Sequence, residues 1–492
     1  MSQQNRREFL EDSMVAAAAV AAGSGPQLLI GEETRQSRSP NEKLGVACVG
    51  VRGRGKSHIG AFAGRKDTEV LYICDVDSEV GGNRTKEVGK RQGREPKFEE
   101  DLRQVLQDQR VDIVSIATPN HLHALQAIWS MQAGKDVYLE KPVSHNVSEG
   151  RRLVEAARKY GRICQTGTQS RSNPGMIQAM RYVLDGNLGQ VKVARGLCYK
   201  RRRHRSPDSS GTCSDFRVPS SVNYDLWLGP APLTRLTRKQ FHYDWHWQWP
   251  YGNGDLGNQG VHQMDLCVWA MGVNQLSRNV LSYGGRFGRE DDRNMANTQV
   301  IVHDYVDKSL VFEVRGLKTS AYKGAKIGII IECTGGYLVM ASYKSGSAFD
   351  KRGEKVTTFS GGNDKLHFEN FLKAVRSRDH RDLNADIEQG HLSSALCHLG
   401  NISYRLGSSV AYREVSQQLK EFPATDNMQE TLDRTLAHLR RNTVDPSATP
   451  IVLGSPLVFD PSREMFVDNA RADCLLTRQY RQPFIVPQAG AV

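Results

Sequence analysis

Lys43-Leu44-Gly45-Val46-Ala47-Cys48-Val49-Gly50-Val51-Arg52-Gly53-Arg54-Gly55 is the stretch on which the reading of this chain turns. Its first seven residues form a short apolar run of the kind that makes a strand buried on both faces of a parallel sheet. A glycine-rich turn follows, and Lys56-Ser57-His58-Ile59-Gly60-Ala61-Phe62 then takes up helical spacing. The next apolar run, Val70-Leu71-Tyr72-Ile73-Cys74, ends at Asp75, 20 residues after Gly55. Strand, glycine turn, helix, strand and acid at that interval are the fingerprint of a dinucleotide-binding unit. Glycines let the backbone approach a diphosphate, the helix N-terminus turns N–H groups toward it, and the acid accepts from the ribose hydroxyls. The second glycine of the pattern is Arg52 here. Its side chain must point away or lie over the phosphates, with Gly53 supplying the lost freedom. The competing reading is a glycine-rich turn in some other α/β protein.

Working outward, Val111–Ala117 reads as a further strand leading into Thr118-Pro119-Asn120-His121-Leu122-His123. Asp136–Leu139 is another, ending at Glu140-Lys141-Pro142, and Arg162-Ile163-Cys164 runs into Gln165-Thr166-Gly167-Thr168-Gln169. Strands alternating with helical segments predict a parallel sheet with its ligand at the strand C-terminal ends. Gly50, Arg52, Gly53, Arg54, Gly55, Asp75, Thr118, Pro119, Asn120, His123, Glu140 and Lys141 are therefore the candidate cofactor-binding residues. Asp75 would accept both ribose hydroxyls and repel a 2′-phosphate, which gives a slight preference for NAD over NADP. Arg52 and Arg54 lie in the same loop and act against that preference.

Composition sets bounds on the rest. The 492 residues are 24% charged and 39% hydrophobic, ordinary for a globular protein of several domains. No run of eighteen apolar residues occurs, which argues against a stable membrane span. The net charge of +12 is spread along the chain, densest at Lys200-Arg201-Arg202-Arg203-His204-Arg205 before the loop-like Ser206–Gly211. A nucleic-acid reading needs a binding fold or interleaved aromatics as well as charge, so none is expected. Nine scattered cysteines without a CxxC pair read as free, largely buried thiols, and no metal site is expected.

The start of the chain reads as an address. Asn5-Arg6-Arg7-Glu8-Phe9-Leu10, an Ala-rich segment from Met14 to Ala22, and Gly23-Ser24-Gly25-Pro26 resemble a twin-arginine signal. That route exports folded proteins, which suits one that must load a cofactor before leaving. The expectation is an exported, periplasmic protein that engages the twin-arginine machinery. The alternative is an N-terminus with a chance Arg-Arg pair.

Four ordered motifs carry a family resemblance: the Gly50–Gly55 loop, Ala117–His123, Glu140-Lys141-Pro142, and Gly254-Asp255-Leu256-Gly257-Asn258-Gln259-Gly260-Val261-His262-Gln263-Met264-Asp265. Over roughly residues 43–410 the chain resembles the Gfo/Idh/MocA family, which includes glucose–fructose oxidoreductase and inositol dehydrogenase. The resemblance implies a Rossmann domain followed by an α+β domain with an open, mainly antiparallel sheet. It also implies NAD(P)-dependent oxidation or reduction of sugars, polyols and their derivatives. The expected division is 1–42 signal and linker, 43–165 Rossmann domain, 166–412 substrate and oligomerisation domain, and 413–492 an extension packing on the core or a neighbour. Val191–Tyr199, Ser309–Val314, Ala325–Cys333 and Tyr337–Ala341 read as strands, and Leu366–Arg376, Ile387–Leu406 and Met428–Arg441 as helices. Because the family's open sheet is commonly buried between subunits, a homo-oligomer is expected.

Carbonyl–alcohol interconversion needs a hydride acceptor, a proton shuttle and a charge beside the developing alkoxide. By resemblance Lys141 sits beside the nicotinamide and the substrate hydroxyl, and His262 exchanges the hydroxyl proton. Salt-bridge and buried-core roles compete with these two assignments. Asp265, at i+3, would orient His262 or bind substrate. Gln169 and Arg171 match a stretch near the substrate, and Trp247 stands in Phe241–Trp249, an aromatic run suited to sugar faces or to core packing. The departure is Asn258, where many family dehydrogenases carry Asp; an amide reaches a hydroxyl but takes up no proton near neutral pH. Either His262 and Lys141 suffice, or the chemistry differs. The alternatives to a dehydrogenase are an NAD-dependent glycosidase with a recycled, tightly held cofactor and a non-catalytic sugar- or nucleotide-binding protein.

Overall fold

A computed structural model describes residues 43–202, 216–288, 291 and 293–492. The twin-arginine-like start and the loop Ser206–Gly211, with Arg203-His204-Arg205 before it, lie outside the described residues. Near the start stands a six-stranded parallel sheet: β1 (Leu44–Val49), β2 (Thr68–Cys74), β3 (Lys97–Glu99), β4 (Ile113–Ile116), β5 (Asp136–Leu139) and β6 (Cys164–Thr166). Their order is β3-β2-β1-β4-β5-β6, so the chain reverses direction across the sheet at β1/β4. Parallel strands need helical crossovers, and those helices cover both faces; every residue of β1, β4 and β5 is buried as a result. On one face Val46 and Cys48 meet Ile59 and Phe62 of the helix Gly55–Phe62; on the other, Ala47 and Val49 meet the helix Asn120–Gln132.

The second sheet contains β7 (Val191–Cys198), β8 (Asn279–Gly285), β9 (Thr298–Asp304), β10 (Ser309–Arg315), β11 (Ile327–Cys333), β12 (Gly336–Met340), β13 (Ser345–Asp350), β14 (Lys355–Ser360), β15 (Ser408–Val410), β16 (Ile451–Leu453), β17 (Leu457–Asp460) and β18 (Met465–Phe466). Its pairs are antiparallel apart from β7 with β10. Alternation along β7 shows the two faces. Ala194 and Cys198 enter the core beneath the helices Pro174–Leu184, Val261–Met271 and Ile387–Arg405, while Val193 faces the opposite side.

That opposite side is covered by the end of the chain. Val415 and Leu419 of the helix Tyr412–Glu421, and Leu432, Leu436 and Leu439 of the helix Met428–Arg441, pack on Leu281, Tyr283, Val300, Val302 and Val311. A buried ion network adds to this apolar contact. Arg195 on β7 reaches Glu313 of β10 at 2.8 Å and Asp426 at 2.5 Å, and Arg434 reaches Glu313 at 2.7 Å. The extension therefore packs on its own core. Its last stretch runs to the first sheet, where Phe484, Val486 and Val492 join the cluster beside Trp129.

Two features escape sequence reading. β3 is only three residues long and shows no period. The helix Lys365–Ser377, read with the second domain, lays Phe368 and Phe371 on the first sheet, with Phe368 stacked on Tyr138 at 4.4 Å.

Candidate active site

The site forms where the strands of the first sheet end. After β1 the chain turns through Gly50, whose φ of 74° suits glycine, and a Cβ there would stand 2.7 Å from the Thr118 nitrogen. At Gly55 a Cβ would lie 2.0 Å from the Gly50 carbonyl oxygen. These two glycines are required by the turn itself. Gly53 differs: a Cβ there would meet no protein atom within 4 Å. No side chain caps the helix Gly55–Phe62 and no acid stands in its first turn, where the Lys56 and Ser57 amides donate to the Gly53 and Arg54 carbonyls at 3.2 and 2.8 Å; the positive end of the helix thus faces the turn without a countercharge. Asp75 accepts from the Val51 amide at 2.8 Å and the Asp77 amide at 3.0 Å, and burial raises its pKa to about 6. Open space at Gly53, an uncapped helix start and an acid at the end of β2 fit a dinucleotide diphosphate and ribose.

Glu140, at the end of β5, gathers the neighbouring polar groups. It accepts from Arg54 Nε at 2.8 Å and Gln169 Nε2 at 3.0 Å, and lies 3.3 Å from His58 Nε2. Burial opposes its ionisation, but Arg54 and His58 hold its pKa well below the usual range. Arg54 is thereby drawn inward, with Asp364 as a second partner at 3.0 Å. Its expected action against Asp75 toward a 2′-phosphate is not what the geometry shows; Arg52 is the exposed loop arginine whose charge bears on Asp75. Gln169, expected at the substrate, also donates to Tyr138 Oη at 3.1 Å and belongs to this network.

Lys141 points across the cleft. Its ammonium donates to the backbone carbonyl of Asn258 at 2.7 Å, and burial lowers its pKa. Asn258 lies in a π-helical turn, Leu256–Gly260, that opens directly into the helix Val261–Met271. Such a turn widens the helix, and one is often found where a helix meets a functional site. His262 occupies the first turn of that helix. Burial, then the charge of Lys141, push its pKa down to about 3, and its Nδ1 is buried without a hydrogen-bond partner. The buried Arg54 Nη2 and Thr168 Oγ1 also lack partners. Orphaned donors and acceptors on these residues fit a polar ligand between the strand ends and the helix.

Four expected roles are corrected by the geometry. His123 is 1% exposed with both ring nitrogens against carbonyls, Pro142 at 2.6 Å and Thr118 at 2.7 Å; it fastens two loops and presents nothing to a cofactor. Asp265 neither orients His262 nor faces the cleft, because Arg171 Nε binds both its oxygens at 2.9 Å and Ser393 donates at 2.9 Å. Arg171 is held by that pair and lies over Trp269. Trp247 is 2% exposed between the guanidinium groups of Arg202 and Arg293, so it packs and offers no sugar platform. Asn120 donates to Asn253 at 2.9 Å, and Thr118 donates to Gln126 at 2.7 Å. Thr118 and Pro119 remain half-buried at the end of β4.

The sequence reading missed Tyr343, in the loop between β12 and β13. Its ring stands 5.1 Å from that of His262, and its hydroxyl meets Gln259 of the π-helical turn and Gln263 of the helix that follows. No motif marks it, since its place depends on how the second sheet folds back over the helix. His246, half-buried and stacked on Trp245 at 3.7 Å, also lies within the field of Lys141.

The sequence model for an oxidoreductase family with an NAD-binding Rossmann fold (GFO_IDH_MocA) matches residues 44–168, and its C-terminal alpha/beta domain matches residues 208–439. A levoglucosan dehydrogenase from Pseudarthrobacter phenanthrenivorans is 29% identical over 245 residues, 49% of this chain and 54% of that protein. An inositol 2-dehydrogenase from Salmonella paratyphi B is 26% identical over 181 residues, 36% of this chain and 50% of that protein. The chain thus matches about half the length of these curated relatives. Among solved structures, the WlbA dehydrogenase from Bordetella pertussis, in complex with NADH and UDP-GlcNAcA, shares the fold. Its TM-score is 0.52 at 21% identity, over 72% of this chain and 94% of that one.

Proposed function

Because this chain belongs to the Gfo/Idh/MocA oxidoreductase family, we propose that it is an NAD(P)-dependent dehydrogenase of a sugar, polyol or derivative. The observation that carries this reading is the reach of Lys141 from the end of β5 to Asn258, which sets an ammonium beside His262 at the dinucleotide end of the sheet. The bound nicotinamide supplies the hydride acceptor. Lys141 keeps two N–H donors beyond the one given to Asn258, and they stabilise negative charge on the substrate oxygen. His262, whose buried Nδ1 has no hydrogen-bond partner among the described residues, is the group placed to exchange the hydroxyl proton. Asn258 needs no proton-accepting side chain in this scheme, because its backbone carbonyl orients Lys141.

NAD is favoured over NADP, since Asp75 stands at the ribose position and Arg54 is committed to Glu140 and Asp364. Export to the periplasm by the twin-arginine route, a tightly held cofactor and assembly as a homo-oligomer belong to the same proposal. Export rests on the N-terminal sequence. An oligomer would use a surface other than the part of the second sheet that the helices Tyr412–Glu421 and Met428–Arg441 cover.

The test is net reduction of added NAD+ or NADP+ with levoglucosan, myo-inositol and glucose, monitored at the nicotinamide absorbance band. Sugar-dependent reduction by the wild type that is lost in His262→Ala is the expected result. Asn258, where an acid would be a further proton acceptor, also suits an NAD-dependent glycosidase. Glycoside cleavage with no net turnover of added NAD+ would select that second reading.

A further inference from the structure

Tyr343 has a hydrogen-bonding pattern that the reaction as described does not use. Two side-chain amides, Gln259 Nε2 in the π-helical turn and Gln263 Nε2 in the helix that follows, are directed at its hydroxyl oxygen. A phenol accepts hydrogen bonds and has one proton to give. With two amides directed at its oxygen, the proton is left over, and among the described residues no acceptor for it is found. Gln263 is fully buried and Gln259 is 8% exposed, so neither amide turns to solvent. The loop is fixed as well: Asn173 Nδ2 donates to the Tyr343 carbonyl at 2.9 Å, and Ser342 closes the turn through Ser345 Oγ at 2.7 Å. The unclaimed donor is therefore preoriented.

Its position gives it a target. The Tyr343 ring lies 5.1 Å from the His262 imidazole, inclined at 51°. Two groups that close serve neighbouring oxygens of one sugar ring rather than separate sugar units. His262 is assigned to the oxygen on the reacting carbon. Burial raises the pKa of Tyr343, so it remains a neutral phenol and a donor across the working range.

Building on the dehydrogenase reading, we propose that the Tyr343 hydroxyl donates a hydrogen bond to the oxygen on the carbon next to the one oxidised, making the site selective for vicinal diols. The amides of Gln259 and Gln263 act as positioning residues that turn the phenol proton into the cleft. A substrate lacking the neighbouring oxygen leaves this buried donor unpaired, and the site discriminates against it for that reason.

The experiment crosses one substitution with one missing oxygen. Wild type and Tyr343→Phe are assayed with NAD+ on levoglucosan, myo-inositol and glucose, and on monodeoxy analogues of whichever sugar is oxidised. The expected result is a loss in kcat/KM of about tenfold or more for Tyr343→Phe on the parent sugar. The wild type should lose a similar factor on the analogue lacking the neighbouring hydroxyl, and the substitution should add nothing further there. Equal kcat/KM for both proteins on every sugar overturns the proposal. So does an equal loss on the parent and on all analogues, which marks a purely structural role. If the wild type oxidises none of these sugars, the dehydrogenase reading fails separately. Calorimetric binding of the same sugars to NAD+-loaded protein then decides, with unchanged affinities in Tyr343→Phe counting against the hydroxyl and a loss confined to sugars carrying the neighbouring oxygen supporting it.

Discussion

The Lys141 ammonium lies 2.7 Å from the backbone carbonyl of Asn258, a bond between residues 117 positions apart in the chain. One partner ends a strand of the parallel sheet and the other stands in the π-helical turn before the His262 helix. The contact closes the site across its two halves. A side chain in place of that carbonyl would be free to rotate, whereas a backbone acceptor is held by the turn.

Lys141→Ala is expected to lower kcat by about 100-fold or more, the range found when a positioned acid–base or charge-stabilising group is lost. Dinucleotide affinity, measured by fluorescence titration, should change far less. A variant with wild-type kcat would remove Lys141 from the chemistry.

The glycines of the turn should separate into two classes. Gly55→Ala forces a Cβ to 2.0 Å from the Gly50 carbonyl, and thermal unfolding should show destabilisation of about 1–3 kcal/mol. Gly53→Ala meets no protein atom within 4 Å, so its stability should stay within about 0.5 kcal/mol of wild type while its NAD(H) affinity drops. Equal affinity in Gly53→Ala and wild type would argue against a diphosphate at this turn.

Asp75 should govern cofactor choice. Asp75→Ala removes an acceptor for the ribose hydroxyls and a charge that repels a 2′-phosphate. The ratio of kcat/KM for NAD+ over NADP+ is expected to fall by about tenfold or more. An unchanged ratio would place discrimination elsewhere.

Acid should destabilise the fold through its buried imidazoles. Burial lowers His121, His246, His262, His303 and His398 to about 3 and His367 to about 4, from the ordinary imidazole value of 6.5. Between those values the unfolded chain binds more protons than the folded one, so stability is fully present above pH of about 6.5 and is lost as pH falls toward 3. Asp75 and Glu149, raised by burial to about 6 and about 7, act in the opposite sense but are outnumbered. Melting temperatures recorded from pH 7 to 4 should fall steadily; a flat profile would contradict neutral burial of these imidazoles.

Arg195→Ala should test how the extension is held. The substitution leaves Asp426 without its buried arginine, while Glu313 keeps Arg434 and Arg315, and breaking such a pair costs about 3–5 kcal/mol. Urea unfolding should show that loss together with easier proteolysis of residues 412–441. Unchanged stability would mean that the apolar contacts of Leu432, Leu436 and Leu439 suffice alone.

The sequence by itself determined what local physics determines. The run Leu44–Val49, the required glycines at 50 and 55, Asp75 at the end of β2, the strand ends at Thr118 and Lys141, and the helix Met428–Arg441 follow from periodicity, turn chemistry and spacing. The family motifs added the expectation that Lys141 and His262 serve one substrate hydroxyl. Tertiary structure decided where each side chain spends its hydrogen bonds. Trp247 became core because Arg202 and Arg293 arrive from distant segments, and His123 became a fastener because two carbonyls enclose it. Tyr343 joined His262 because a hairpin folds over the helix. Each of these outcomes depends on burial and on partners remote in the chain, and a local pattern carries no information about which charge or carbonyl will be brought within 3 Å of a given atom.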